Sequence, residues 1–454
     1  MKLRNFVFVC VFAVFLLGTG CQLQLTSENF TAASLDKIRL SWTDDPETTM
    51  TIGWDQFGGE RPKVYYGTRD RGRRWKMYES SQGPTRQVSH LNMDTRFCEL
   101  KGLLAGTAYY FVIKDSEGVS ERFWFRTAPG EPAAFTCVMG GDTKCAGAPL
   151  AAGRFTNQMV AKLRPLFVLF CGDFTNDGIN AEHWEQWLND WFELTRTADG
   201  RLFPIVSLTG NHEYRDYSVL NKVFNAPYRF DDPERIYYSL SFGGDLVHIS
   251  ILNSAMRKFL AEQTEWLKED LEKAKDFTFK FAAYHKPFRP HTRGKGENMP
   301  LYDAWAPLFY EYGVDISIDA DSHVSRITYP VRPDPVNGVE GFVRDDENGT
   351  MYIGEGSWGA SPRAANDNKP WTLRSGSFNQ VKWLQVFPAS EKGPAHIDIR
   401  TVITSTRDDD NQAVSHVEGV SALSEDNIFD VPAEINLYST DYGDVITYPF
   451  VENK

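Results

Sequence analysis

Five short apolar runs, each stopping on residues that can hold a metal ion, constrain this chain more than any other feature. Phe135–Met139 leads into Gly140-Gly141-Asp142, Leu166–Cys171 into Gly172-Asp173-Phe174-Thr175-Asn176, and Phe203–Leu208 into Gly210-Asn211-His212-Glu213. Phe279–Tyr284 is followed by His285-Lys286-Pro287, and Val314–Ile318 by Asp319-Ala320-Asp321-Ser322-His323. Continuous apolar runs of this length bounded by turn residues read as strands buried on both faces. Leu246–Leu252 is a sixth such run, while Glu182–Leu194 and Glu262–Lys275 carry helical spacing with charged outer faces. Strands alternating with helices give an α/β domain whose polar chemistry gathers at the C-terminal strand ends. One Gly-Asp pair is an ordinary turn. Five ligand-bearing strand ends in order describe a site.

Ahead of this domain the period changes. Ile38–Trp42 and Met50–Trp54 alternate, and Ala108–Ile113 is a further β run after the Leu103–Thr107 turn. Residues 37–128 therefore read as a small β-sandwich, with the Pro/Gly stretch from Ala128 to Pro132 as linker. The catalytic domain is expected over 129–387. Residues 388–454 form a β-rich extension that includes a hairpin of Ile435–Tyr438 with Val445–Tyr448. A length of 454 residues suits this division. Cys137 and Cys171 are offset by about three residues on neighbouring parallel strands, some 10 Å, too far for a bridge, so no disulfide framework is expected.

The first residues form a separate element. Lys2 and Arg4, the apolar run Phe6–Leu17, and Gly18-Thr19-Gly20 before Cys21 have the pattern of a signal peptide over 1–20. Cys21 sits where bacterial lipoproteins are acylated, and 21–36 reads as a linker. The expected location is outside the cytoplasm, in the periplasm or cell envelope, with a membrane anchor at Cys21.

The ordered strand-end motifs resemble the calcineurin-like metallophosphoesterases. With the β-sandwich ahead of them, they are most similar to the purple-acid-phosphatase-like branch, whose N-terminal domain is fibronectin-III-like. The resemblance runs from about Lys37 to Phe387 and is most specific at Gly210-Asn211-His212-Glu213. It extends to Leu100–Tyr110, Tyr237–Leu240, Val247-His248-Ile249 and Gln263–Leu267. It implies an αββα sandwich carrying two metal ions, with Asp173 bridging them, Asp142 and His323 on the first, and Asn211 and His285 on the second. His212 would not ligate. It would face the substrate as proton donor or as electrostatic support for the leaving oxygen.

Two positions depart from the family pattern. Asn176 stands where purple phosphatases have the metal-bound tyrosine, so no purple charge-transfer band is expected. Asp321 replaces the first histidine of the Gly-His-x-His motif. One anionic ligand is thereby removed from the first metal and one added to the second, and the total charge suits two divalent ions such as Mn, Zn or Mg, or ferrous Fe, rather than a ferric pair. Asp319 competes for the place of Asp321. Should Asp321 fall short, the site would hold one metal or be silent.

A formal charge of −13 argues against gathering nucleic acid and requires any anionic substrate to be captured locally. The stretch His285–Lys295 packs four cations and two histidines into this acidic chain. His291 is the expected substrate contact, with Arg293 beside it, and the other cations are expected to form a solvated face. His248, inside an apolar run, reads as a core histidine. Gly354–Gly359 forms either a pocket rim or a plain turn. The expected activity is phosphomonoester hydrolysis by in-line attack of a metal-bridging hydroxide on a phosphorylated small molecule. The alternatives are phosphodiester or nucleotide cleavage on the same site, and a silent surface lipoprotein that binds a glycan or protein.

Overall fold

The structure, a computed structural model, describes residues 30–148 and 150–450. The leader, Cys21 and most of the 21–36 linker lie outside the described residues. Two large sheets form the centre. The larger has eleven strands, in the order Ala413–Ser415, His396–Arg407, Asn379–Phe387, Phe135–Gly140, Phe167–Phe170, Pro204–Ser207, Leu35–Ser41, Met50–Gln56, Met93–Leu100 and Arg86–His90, with Ile446–Tyr448 also paired to His396–Arg407. The second has eight, with Val247–Ile251, Phe279–Ala283, Ile316–Ile318 and Thr350–Gly354 running parallel in its middle. A four-stranded sheet, built on Lys63–Gly67 and Ala108–Lys114, completes the N-terminal sandwich.

The two large sheets pack face to face through large apolar side chains. Phe167 of one stacks on Phe242 of the other with ring centroids 4.3 Å apart, and Trp42 meets both rings edge-on. Helices cover the outer faces. Ala181–Thr195 is capped by the Asn180 side chain, which accepts from the N–H groups of Glu182 and His183. It buries Trp184, Trp187 and Trp191, the one face that three- and four-residue spacing brings together. On the other side Leu260–Lys273 and Met299–Glu311 bury Leu267, Leu271, Trp305 and Phe309 against the second sheet. The layers are helix, sheet, sheet, helix. None of the described helices is long and apolar enough to cross a membrane.

The sandwich is not a bead on a linker. Leu35–Ser41 runs parallel to Pro204–Ser207, with Leu40 opposite Pro204 and Ser41 opposite Ile205, so the larger sheet continues from one unit into the other. The C-terminal segment continues it at the far edge, where His396–Arg407 lies antiparallel to Asn379–Phe387. The expected hairpin of 435–438 with 445–448 does not form. Tyr448 pairs with Ile397 and Leu437 bridges to Val402, so both segments use the long strand His396–Arg407 as their partner. Cys98, Cys137, Cys145 and Cys171 are free and buried. Cys137 lies opposite Phe167, four residues before Cys171.

Candidate metal centre

The parallel strands of both sheets end at one edge of the sandwich, and there the chain turns through conformations that ordinary residues avoid. Asp142, Lys144, Asp173, Asp321 and His323 all have left-handed backbones, with φ between 54° and 65°. Such residues store strain, and they cluster where side chains must converge. Neighbouring turns are locked to each other: Asp142 N–H donates to Gly172 O at 3.0 Å and Lys144 N–H to Asp173 O at 3.1 Å. Gly172 has φ 81°, and a Cβ there would sit 2.5 Å from the Gly210 nitrogen, so two strand ends meet backbone to backbone.

Asp142, Asp173 and His285 each aim one ligand atom into a space where those atoms lie within 4.8 Å of one another. His285 Nε2 is 3.3 Å from Asp173 Oδ1 and 3.6 Å from Asp321 Oδ1, and His323 Nε2 is 3.3 Å from Asp142 Oδ1. Each histidine is held from behind. His285 Nδ1 donates to Cys171 O at 2.7 Å, and His323 Nδ1 to Ser361 O at 3.3 Å. Nδ1 therefore carries a proton in both rings, and Nε2 is the atom left to face a metal. Asp142 Oδ1, Asp173 Oδ2, His285 Nε2 and His323 Nε2 are buried without a hydrogen-bond partner. Four orphaned donor atoms of nitrogen and carboxylate type are what a first-row divalent cation requires, so these residues fit the metals that the motifs imply.

The field of the cluster points the same way. Burial opposes ionisation of Asp173, yet the neighbouring His285 and Lys144 hold its carboxyl well below the usual range. Burial likewise opposes charge on His285, but Asp173, Asp321 and Asp142 draw it far above the ordinary imidazole value. A centre that pulls a proton this strongly onto a buried ring attracts any cation placed there.

Asp321, not Asp319, reaches the centre. Asp319 is fully buried and accepts from Arg326 Nη2 at 2.6 Å; burial pushes its carboxyl up to about 7. Asp321 donates its N–H to Asp142 Oδ2 at 2.7 Å and turns its carboxylate to His285 and Lys295. Asn211 is half-buried, fixed between Gly210, whose N–H bonds Glu213 Oε2, and His212, whose N–H bonds Asp173 Oδ1 at 2.8 Å. Asn176 is exposed and contributes main chain: its carbonyl accepts from His212 Nδ1 at 2.7 Å. His212 Nε2 faces the site, 3.9 Å from Asp173 Oδ2.

The structure contradicts the expected substrate contact at His291. That ring is fully buried, with Nδ1 on Glu355 Oε1 at 2.8 Å and Nε2 on Thr372 Oγ1 at 2.7 Å, which leaves no edge for a substrate. Arg293 is exposed, and its backbone N–H, rather than its guanidinium, is tied down, to Asn366 Oδ1. Within the basic loop it is Lys295 that touches a site residue.

Three further groups shape the site. Glu213 is fully buried and accepts the N–H groups of Gly210, Asp173 and Phe174 at 2.7, 3.0 and 3.0 Å, clamping two strand ends together. Gly356 lies against Asp142, and the loop that carries it is bonded there through Gly359 and Ala360 N–H to Asp142 O. Of the two readings for Gly354–Gly359, this is a rim. Lys144 lies 3.3 Å from Asp173 Oδ2. Glu213 and Lys144 each stand two residues past a strand-end ligand, and that spacing was the available signal.

Residues 35–127 match the family model of the purple acid phosphatase N-terminal domain, and residues 141–325 that of the calcineurin-like phosphoesterases. The chain is similar to acid phosphatase type 7 of Homo sapiens, 25% identical over 398 residues, covering 80% of this chain and 86% of the relative. It is also similar to an uncharacterized protein of Mycobacterium tuberculosis, 23% identical over 372 residues, covering 71% of this chain and 69% of that protein. Among solved structures, a purple acid phosphatase from seeds of yellow lupin (Lupinus luteus) superimposes with a TM-score of 0.66 at 16% identity, over 85% of this chain and 74% of that one.

Proposed function

We propose that this chain, which belongs to the calcineurin-like phosphoesterases and carries the N-terminal domain of the purple acid phosphatases, hydrolyses phosphomonoesters at a two-metal site on the shared sheet edge. The observation that carries the reading is the convergence of ligand atoms of Asp142, Asp173 and His285 within 4.8 Å of one another, with His323 Nε2 3.3 Å from Asp142 Oδ1, each of the four residues having a buried ligand atom that makes no hydrogen bond. Divalent ions bound there would supply an activated water and offset charge on the transferring phosphoryl group.

The residues divide the work by position. Asp173 has a ligand atom within 4.8 Å of those of both Asp142 and His285, and on this reading its carboxylate would serve both ions, with Asp142 and His323 on one and Asn211, His285 and Asp321 on the other. Cys171 O and Ser361 O fix the two ligand imidazoles, and Glu213 holds the turns that carry Asp173 and Asn211. Because no tyrosine stands at Asn176, we expect divalent ions and no visible charge-transfer band. We place the protein in the cell envelope, on the leader pattern and Cys21.

The test is metal content together with hydrolysis of an aryl phosphate and of a bis-aryl phosphodiester, for wild type and Asn211→Ala. Bound divalent metal, faster monoester turnover, and loss of about 100-fold or more in Asn211→Ala are expected. A wild type without metal or turnover under Mn, Zn, Mg or Fe would end the reading, and a preference for the diester would replace it with phosphodiesterase activity.

A further inference from the structure

The cation nearest the bridging position does not come from the basic loop. Lys144 follows Asp142 by two residues, its backbone left-handed and bonded to the Asp173 carbonyl. Its side chain is 15% exposed, with Nζ 3.3 Å from Asp173 Oδ2 and 3.1 Å from His212 Nε2. An ammonium group has three protons and no lone pair, so in this contact the lysine donates and the imidazole accepts. The other ring nitrogen faces the Asn176 carbonyl, which can only accept, so Nδ1 carries the histidine's proton. Lys144 thus stands between the His212 ring and the Asp173 carboxylate, its ammonium at the mouth of the ligand set.

A second ammonium stands at the other end of the ligand set. Lys295 Nζ donates to the Asp321 carboxylate, and Arg363 Nη1 donates to the Asp321 carbonyl at 3.0 Å. Two of the three ligand carboxylates, Asp173 and Asp321, thus have a lysine within ion-pair distance. Divalent ions would take over the charge of those carboxylates and leave both ammonium groups in surplus, facing whatever anion enters. A monoester phosphoryl group brings two negative charges and three terminal oxygens, whereas a diester brings one charge and two terminal oxygens.

We propose that Lys144 binds an oxygen of the substrate phosphoryl group, with His212 positioning the ammonium, and that Lys144 and Lys295 together select the dianionic monoester. This deepens the phosphomonoester reading and rests on it. The contact is a charge-assisted hydrogen bond in a half-buried setting, the strong class of such bonds.

The test uses the full chain loaded with Mn, as wild type, Lys144→Met, Lys144→Arg and Lys295→Met. Titration calorimetry with inorganic phosphate reads binding without turnover, elemental analysis reads the metal, and steady-state kinetics compares an aryl phosphate with a bis-aryl phosphodiester. Lys144→Met is expected to keep its metal and bind phosphate about 10- to 100-fold more weakly. Its kcat/KM for the monoester should fall by a similar factor and that for the diester by about threefold or less. Lys144→Arg should recover part of the phosphate affinity, and Lys295→Met should narrow the monoester preference. Wild-type phosphate affinity in Lys144→Met would overturn the proposal, and so would loss of metal from both Lys144 variants, which would make the lysine a support for Asp173 alone. A wild type that binds phosphate through Lys144 yet hydrolyses neither ester would refute the enzymatic reading and leave the binding assignment standing.

Discussion

Replacing Gly356 with alanine tests the site at its tightest packing. A Cβ at this position would lie 1.9 Å from Asp142 Oδ2 and 2.9 Å from Asp142 Cγ. Ordinary contact begins at about 3.4 Å, so something must move by about 1.5 Å. The loop cannot retreat as a unit, because Trp358 N–H is bonded to Gly141 O at 2.7 Å, and Gly359 and Ala360 N–H to Asp142 O at 3.1 and 2.9 Å. The carboxylate yields instead, breaking its 2.7 Å bond from Asp321 N–H and leaving its place beside His323. A misplacement of about 1 Å at a reacting centre costs about 100-fold in rate. We expect Gly356→Ala to lose about half its bound metal and at least that factor in kcat. The left-handed φ of 88° adds a backbone cost of about 1–2 kcal/mol, which Gly419→Ala, at φ 82° with nothing within 4 Å, reproduces without the collision. Elemental analysis after gel filtration, aryl phosphate kinetics and urea unfolding on both variants separate the two effects. Full metal content and wild-type kcat in Gly356→Ala would refute the reasoning.

Two other substitutions probe buried groups. His291→Ala removes one partner of the fully buried Glu355, which keeps Arg326 Nε at 3.5 Å, and should destabilise the protein by about 1–3 kcal/mol, with KM for an aryl phosphate unchanged within about twofold; a tenfold rise in KM at wild-type stability would restore His291 as a substrate contact. Although burial opposes it, bonds from His248 Nε2, Ser239 and Ser250 hold the Asp270 carboxyl below its usual range. A depressed folded-state value contributes stability that is present above the unfolded pKa of about 3.9 and lost as pH falls below it. Asp270→Asn should therefore lower the urea midpoint at pH 7, and its difference from wild type should shrink below about pH 4; a difference independent of pH would contradict this.

The ligand-bearing strand ends were legible because their signal is local: an apolar run buries a strand, and the first polar residue after it sits at the edge. Asp142, Asp173 and His285 follow from that alone, whereas the same rule picks Asp319 after Val314–Ile318, and His323 came from the resemblance to the family motif. His291 was not legible, since the carboxylate that buries it is Glu355, 64 residues away, and a run of cations around a histidine looks the same whether it faces water or a buried acid. The same limit misread the C-terminal segments. Ile435–Tyr438 and Val445–Tyr448 have hairpin spacing, but the long strand His396–Arg407 offers both a better partner. The substitution at Asp321 was visible, and what settles its reach is a backbone at φ 65°, which residue type does not announce.

The strand pair Leu40–Pro204 and Ser41–Ile205 also dictates when this protein can fold. The first strand among the described residues finds its parallel neighbour some 164 residues later. At a synthesis rate of about 5–20 residues per second that partner emerges on the order of ten seconds afterwards. Until then Leu35–Ser41 has an unpaired edge and the sandwich is open on one side, an aggregation hazard in any compartment. An N-terminal fragment cut at the Pro/Gly stretch would keep that edge permanently, and a C-terminal fragment would expose the matching edge of Pro204–Ser207. The two family-sized pieces of sequence thus share one sheet, and the edge of the first closes only once Pro204–Ser207 of the second has been made.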